Sequence, residues 1–264
     1  MSKAITVSFT AKVMAAVRAI ETQRPDALFS DFFAEQLAGA DTIQAAIPRV
    51  EEYEKQGKPF IAVRTSFFDD FLMNHNIRQV VLLGAGLDTR AFRLNWQAGT
   101  HIYEIAHSDV LDYKESVLAA IAPQCVRHSI GADLTQSDWS QLLLEQGYQS
   151  SEPSIWLLEG FLYYLNSTQV HNLLTKIKTL AIAGSWFGAD VINSLVLNGS
   201  DEWAKYWQSS CDHPESFLAN YGWQASVIQP GEEGASFGRF TYQFLDRSVP
   251  DTGHIFFVTA YRQD

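Results

Sequence analysis

The chain is short of cysteine, of basic residues and of long apolar runs, and each shortage removes a class of protein. Only Cys125 and Cys211 are present among 264 residues, too few for a disulfide framework or a thiolate zinc centre. Nineteen Lys and Arg face 30 acids, a formal charge of −11. That balance excludes a protein that binds nucleic acid by neutralising phosphates or rests on an anionic membrane. The longest apolar run, Ile155 to Leu165, is 11 residues with Glu159 inside it, well short of the roughly 20 that cross a bilayer. Between Lys3 and Lys12 the stretch contains Thr6, Ser8 and Thr10, too short and polar for a signal-peptide core. A cytoplasmic protein with no membrane partner is expected. Repeats, low-complexity tracts and a Pro/Ser-rich linker are also lacking.

What is present is a large core. The chain is 47% hydrophobic, with 17 Phe, 10 Tyr and 7 Trp. That suits an aromatic core or a large apolar ligand. The first 75 residues read as helical. In Phe60 to Leu72, the residues Phe60, Ile61, Phe67, Phe68 and Phe71 lie three, four or seven positions from Arg64. Arg64 therefore sits inside the apolar stripe. Its guanidinium must bind a ligand's anion, form a structural ion pair, or snorkel to water.

After residue 77 strands and helices alternate. Val80–Leu83, His101–Ile105, Val126–Ile130, Ile155–Leu158, Trp186–Ile192, Trp223–Ile228 and Ile255–Tyr261 read as strands. Helical stretches fall between them, notably Val110–Ile121, Ser137–Gln146 and Thr168–Ala183. The pattern predicts an α/β fold, a mainly parallel sheet covered on both faces. Ser194 to Gly222 lacks a strand pattern and carries Trp203, Tyr206, Trp207, Phe217 and Tyr221. It reads as an insertion that forms a lid or pocket wall.

The first strand ends in Gly84-Ala85-Gly86, followed by Asp88 and Thr89. Glycines permit close backbone approach to a ligand, and Asp88 or Thr89 can cap the next helix. A dinucleotide fingerprint would place a third glycine where Thr89 stands, which counts against a nicotinamide-dependent oxidoreductase. Glu104, at the end of the second strand, is placed to accept ribose hydroxyls. Asp133-Leu134 follows the third strand, where an acid can receive an adenine amino group. Glu159 interrupts an apolar run, so its carboxylate needs a structural cation or a bound ammonium. Acids for ribose, adenine and amine, with Arg64 for a carboxylate, describe S-adenosylmethionine.

The same residues carry a resemblance. Arg18-Ala-Ile-Glu-Thr-Gln-Arg-Pro-Asp-Ala-Leu-Phe-Ser-Asp31, Arg64-Thr65, Phe68-Asp69-Asp70-Phe71 and Val80 to Leu94 form most of it. Tyr103-Glu104-Ile105, Asp133-Leu134 and Glu159-Gly-Phe-Leu-Tyr-Tyr-Leu165 complete it. The chain resembles class I S-adenosylmethionine-dependent methyltransferases of the leucine carboxyl methyltransferase superfamily, in its bacterial O-methyltransferase branch. The resemblance implies a Rossmann-like seven-stranded sheet with a helical N-terminal extension and a late insertion. One methyltransferase-like domain is expected over 1–264: extension 1–75, cofactor-binding core 77–193, insertion 194–222 and last strands 223–264.

The resemblance further implies that Arg64 holds the methionine carboxylate and that Gly84, with Gly86, lets the cofactor approach the sheet. Asp133 and Leu134 would frame the adenine and Glu159 would meet the methionine end, with Arg18 assisting. The family pattern Glu-x-Asp is here Glu104-Ile105-Ala106, so the aspartate that binds ribose in the family is missing. Asp31-Phe32 also replaces the usual Asp-Pro. The expected reaction is methylation of a carboxylate or hydroxyl of a small, partly apolar acceptor, bound near Tyr163, Trp203, Tyr206 and Trp207. The alternative is a methyltransferase fold that has lost or repurposed methyl transfer. No metal is expected, and no catalytic residue is assigned: His107, His171, His213 and His254 read as ordinary histidines. Oligomeric state is left open.

Overall fold

The computed structural model describes residues 3–136, 138–199 and 204–263. Seven strands form one sheet: β1 (Gln79–Leu83), β2 (His101–Ala106), β3 (Val126–Gly131), β4 (Ile155–Leu158), β5 (Trp186–Ile192), β6 (Gln224–Ile228) and β7 (Ile255–Tyr261). Their order is β3-β2-β1-β4-β5-β7-β6. The pairings among β3, β2, β1, β4 and β5 are parallel, and β7 runs antiparallel to both neighbours. The chain order reverses between β1 and β4, which opens a crevice beyond their C-terminal ends.

Alternation within the strands assigns each side chain to a layer. Val81, Leu83, Tyr103, Ile105, Trp156 and Leu158 pack with α7 (Trp139–Glu145), α8 (Ser167–Leu180) and α10 (Pro214–Ala219). Val80, Leu82, Ile102, Ile155 and Leu157 pack with α1 (Lys3–Thr22), α2 (Ala34–Ala38), α4 (Phe60–Met73) and α6 (Ser108–Leu118). α3 (Ala40–Lys55) lies against α1. Local signals set the boundaries of these helices. Asn166 and Gln169 form a reciprocal capping box at the start of α8, satisfying backbone N–H groups that the helix leaves unpaired.

Between β5 and β6, residues 194–199 and 204–223 contain α9 (Ser194–Leu197), one turn of 3₁₀ helix at Ala204–Tyr206, and α10. Between β6 and β7, residues 229–254 run irregularly and tie the end of the chain to the N-terminal helices. Arg239 bonds Glu21 and Glu54, while Thr241 and Tyr242 donate backbone N–H groups to the Gly57 carbonyl. Among the described residues no helix is long and apolar enough to cross a membrane.

Candidate functional site

The crevice is a cavity of about 660 Å³ lined from both sides of the β1/β4 reversal. Gly84 and Gly86 form its floor with φ of 74° and 51°, left-handed values that favour glycine. A Cβ on Gly84 would come within 2.6 Å of the Phe161 ring, so the floor stays flat only as glycine. Asp88 accepts the backbone N–H of Arg90 at 2.7 Å, which starts α5 (Arg90–Arg93). Thr89 instead donates its hydroxyl to Asp31 at 2.6 Å.

Asp31 also accepts from Arg18 Nε at 2.8 Å, and Arg18 Nη2 donates to the Leu87 carbonyl at 2.7 Å. Arg18 lines the cavity, but its donors serve to fasten the N-terminal segment onto the glycine turn.

At the β4 end, charge is dense. Arg64, buried on α4, donates Nε to Glu159 and Nη1 to Asp190, each at 3.0 Å, and Nη1 also reaches the Tyr163 hydroxyl at 3.2 Å. Of the three outcomes open to a guanidinium in an apolar stripe, the structural ion pair is present, and Arg64 lines the cavity as well. Glu159 meets a second guanidinium: its Oε2 lies 2.7 Å from Arg90 Nη2. That contact is one of charge, because Oε2 is a buried acceptor without an aligned hydrogen bond. Arg90 and Arg93 both bond Asp69. Burial pushes the Glu159 carboxyl up, and the Arg90 and Arg64 charges outweigh it, so it ionises below the usual carboxylate range. Burial likewise opposes ionisation of Asp88, but Arg90, Lys114 and Arg18 bring it down to about 2. At Asp190 burial prevails over Arg64 and the carboxyl is raised. Burial, reinforced by Asp190, holds the Tyr163 hydroxyl well above its ordinary value.

At the β2 and β3 ends the lining changes to Ala106, His107, Val110, Ala132, Asp133, Leu134 and Thr135. Asp133 Oδ1 accepts the backbone N–H of Thr135 at 2.9 Å and its hydroxyl at 2.7 Å. Glu104 does not reach this cavity, which corrects the expectation that it accepts ribose hydroxyls. It shares the sheet face of Ile102, beneath α6, where it is fully buried and bonds Lys114 at 2.6 Å and Arg127 at 2.8 Å. Ala106, on that same face at the strand's end, presents a methyl group to the cavity in its place.

The outer wall is Tyr163, Tyr164, Leu165, Lys205, Tyr206 and Gln208. Tyr163 and Tyr206, two of the residues expected near the acceptor, are part of it. Trp207 does not line the cavity and corrects another expectation: its ring packs 5.3 Å from that of Tyr163, one layer behind the wall. Trp203 lies outside the described residues. Of the four histidines, only His107 lines the cavity. His171 bonds the Tyr221 hydroxyl, His254 is fixed by Gln229 and Thr252, and His213 precedes α10.

Sequence reasoning missed Asp69, Arg90 and Asp190 as parts of the site. Asp190 carried a readable signal: it is an acid inside the apolar strand Trp186–Ile192, the same anomaly that singled out Glu159.

Comparison with known proteins bears on the family and the fold. The leucine carboxyl methyltransferase family matches residues 11–178. The chain is 35% identical, over 97% of its length and 87% of the relative's, to a Parafrankia sp. (strain EAN1pec) protein that bears the name S-adenosyl-L-methionine-dependent methyltransferase. Its fold is similar to that of a duf574 family protein from Streptomyces avermitilis, with a TM-score of 0.59 at 10% identity over 94% of this chain and 96% of that one. The CcbJ methyltransferase from Streptomyces caelestis shares the fold with a TM-score of 0.51 at 12% identity, over 76% and 90% of the two chains. The chain therefore belongs to the leucine carboxyl methyltransferase family of S-adenosyl-L-methionine-dependent methyltransferases.

Proposed function

We propose that the chain transfers the methyl group of S-adenosyl-L-methionine to a carboxylate oxygen of a small, partly apolar acceptor. The cavity residues fit the cofactor. Glu159 Oε2, a buried acceptor lacking an aligned hydrogen bond, suits the methionine ammonium. Arg64, one side chain away, suits the methionine carboxylate. Gly84 and Gly86 give a floor on which a nucleoside can approach the backbone, and Asp133 with Leu134 would frame the adenine. Arg18 would act indirectly, by holding the glycine turn. When bound, the cofactor supplies a methyl group on a sulfonium, and the electron pair of the broken C–S bond stays on sulfur.

The observation that carries the choice of acceptor is the poverty of the cavity in general bases. Asp88 and Glu159 are held ionised by arginines, and such paired carboxylates are poor proton acceptors, while the Oδ1 of Asp133 accepts the Thr135 N–H and hydroxyl beyond β3. Burial keeps Tyr163 protonated. His107 follows β2, two strand positions from β4 in the sheet order, or about 10 Å across. A carboxylate near neutral pH is already ionised. Its oxygen lone pair forms the new O–C bond and no proton has to move. What remains for the chain is alignment and exclusion of water.

The second reading, a site that has lost or repurposed methyl transfer, draws on Ala106, where the family's ribose-binding acid is absent. Incubation with S-adenosyl-L-methionine labelled in its methyl group and a series of ω-phenyl carboxylic acids tests both. Carboxylate transfer yields labelled methyl esters that alkali hydrolyses. Label fixed on alcohol or amine analogues and not on the acids would contradict the carboxylate assignment. Binding of S-adenosyl-L-homocysteine without any transfer would favour the second reading.

A further inference from the structure

Five cationic side chains line the cavity: Arg18, Arg64, Arg90, Arg93 and Lys205. Four are already matched with carboxylates. Arg18 holds Asp31, Arg64 holds Glu159 and Asp190, Arg90 holds Asp69 and Asp88, and Arg93 holds Asp69. Lys205 differs. Among the described residues its ammonium meets no carboxylate; it lies 4.9 Å from the centre of the Tyr206 ring.

Its place on the wall is fixed by the backbone that follows it. The Gln208 N–H donates to the Tyr163 carbonyl at 2.7 Å, the Gln208 side-chain amide donates to the Tyr164 carbonyl at 2.6 Å, and the Ser209 hydroxyl donates to the Leu162 carbonyl at 3.1 Å. Trp207 packs on Tyr163 from behind. These contacts seat the turn Ala204–Tyr206 against the Tyr163–Tyr164 turn. The result, among the described residues, is one cation without a carboxylate partner, set over the Tyr206 ring on a wall shared with Tyr163 and Tyr164.

We infer that Lys205 is the anion contact for the methyl acceptor, and that the acceptor is a carboxylate carried on an aromatic or otherwise flat apolar body. This deepens the proposed function and rests on it. In a chain with a formal charge of −11, a carboxylate needs a local cation to enter a cavity, and a lysine on an aromatic wall supplies it. The ammonium pairs with one carboxylate oxygen and leaves the other free to attack. Methylation replaces the anion with a neutral ester, so the attraction to Lys205 disappears with reaction, and product is held less tightly than substrate.

The test is a binding experiment on the full chain saturated with S-adenosyl-L-homocysteine. The probes are phenylacetate, 3-phenylpropanoate and 4-phenylbutanoate, each beside its primary amide, titrated against wild type, Lys205→Met and Lys205→Arg. In wild type the best carboxylate is expected to bind about 5- to 10-fold more tightly than its amide, the scale of a partly exposed charge pair. The preference vanishes in Lys205→Met and returns in Lys205→Arg. Affinity for S-adenosyl-L-homocysteine is the same in all three chains. A carboxylate preference that survives Lys205→Met, or no preference in wild type, overturns the assignment. Failure of S-adenosyl-L-homocysteine to bind wild type would instead strike the proposed function, so the two failures are distinct.

Discussion

At the C-terminal end of β4, Glu159 is clasped between Arg64 and Arg90, with Asp190, Asp88 and Asp69 completing a lattice of alternating charge. Two strand positions away, at the end of β2, Ala106 presents a methyl group to the same cavity. The acid of that strand, Glu104, pairs through Oε2 with Lys114 and Arg127 beneath α6, while its Oε1 is a buried acceptor without a hydrogen bond. One end of the site is therefore over-determined: each buried charge has a partner, and removing any one strands the others. At the end of β2 the wall is neutral at Ala106, and under the proposed function that part of the cofactor would be held by shape and hydrogen bonds, with Asp133 as the nearby acid. Under the proposed function, that contrast would concentrate electrostatic recognition of the cofactor at its amino-acid end.

The largest effect is expected from breaking the charged end. Arg90→Met leaves Asp69, Asp88 and Glu159 short of a cation and should cost about 3–5 kcal/mol of stability. A thermal melt would show this as a fall of more than about 6 °C. A fall within a degree of wild type would mean the lattice is solvated. Next comes the reverse experiment at the neutral end. Ala106→Asp should tighten S-adenosyl-L-homocysteine binding about 10- to 150-fold by adding a charge-assisted hydrogen bond of about 1.5–3 kcal/mol. It should also introduce discrimination against a 2′-deoxy analogue, which wild type accepts with a penalty under about threefold. Equal affinities in the two chains would show that another group already holds the ribose.

The smallest effect is the response to acid. Asp88 ionises at about 2 in the fold, against a value near 4 in the unfolded chain. Its contribution of about 2 kcal/mol is therefore complete above pH 4 and is lost as pH falls toward 2. Glu159, also lowered, acts in the same sense. Asp190, raised by burial, has the opposite sign: its contribution is present below the unfolded value and lost as pH rises through the folded one. Denaturant titrations from pH 6 to pH 2.5 should show a net fall in stability. The fall should be steeper in Asp190→Asn, provided that variant melts cooperatively.

Much of this was legible in the sequence, for reasons that can be named. All seven strands fall within a residue or two of their expected bounds, because buried parallel strands leave short apolar runs between helical stretches. Glu159 was legible because a carboxylate in an apolar run must have a partner, and the same reasoning applies to Asp190 in β5. Glu104 was not legible as a structural residue. Its role depends on side-chain parity along β2 and on which helix covers that face, and neither is local information. The contrast between Trp207 and Tyr206 depends on an irregular segment whose path is set by hydrogen bonds to residues 162–164. The tie between residues 229–254 and the N-terminal helices has no periodic signal at all.

The decisive measurement is a calorimetric titration of the intact chain with S-adenosyl-L-homocysteine, wild type beside Glu159→Gln, with circular dichroism confirming that both are folded. The geometry predicts saturable one-to-one binding by wild type and a loss of at least about tenfold in affinity when the Glu159 charge is removed. Absence of heat and of any thermal shift in wild type at millimolar ligand, or equal affinity in the two chains, would contradict the assignment of this cavity to the cofactor.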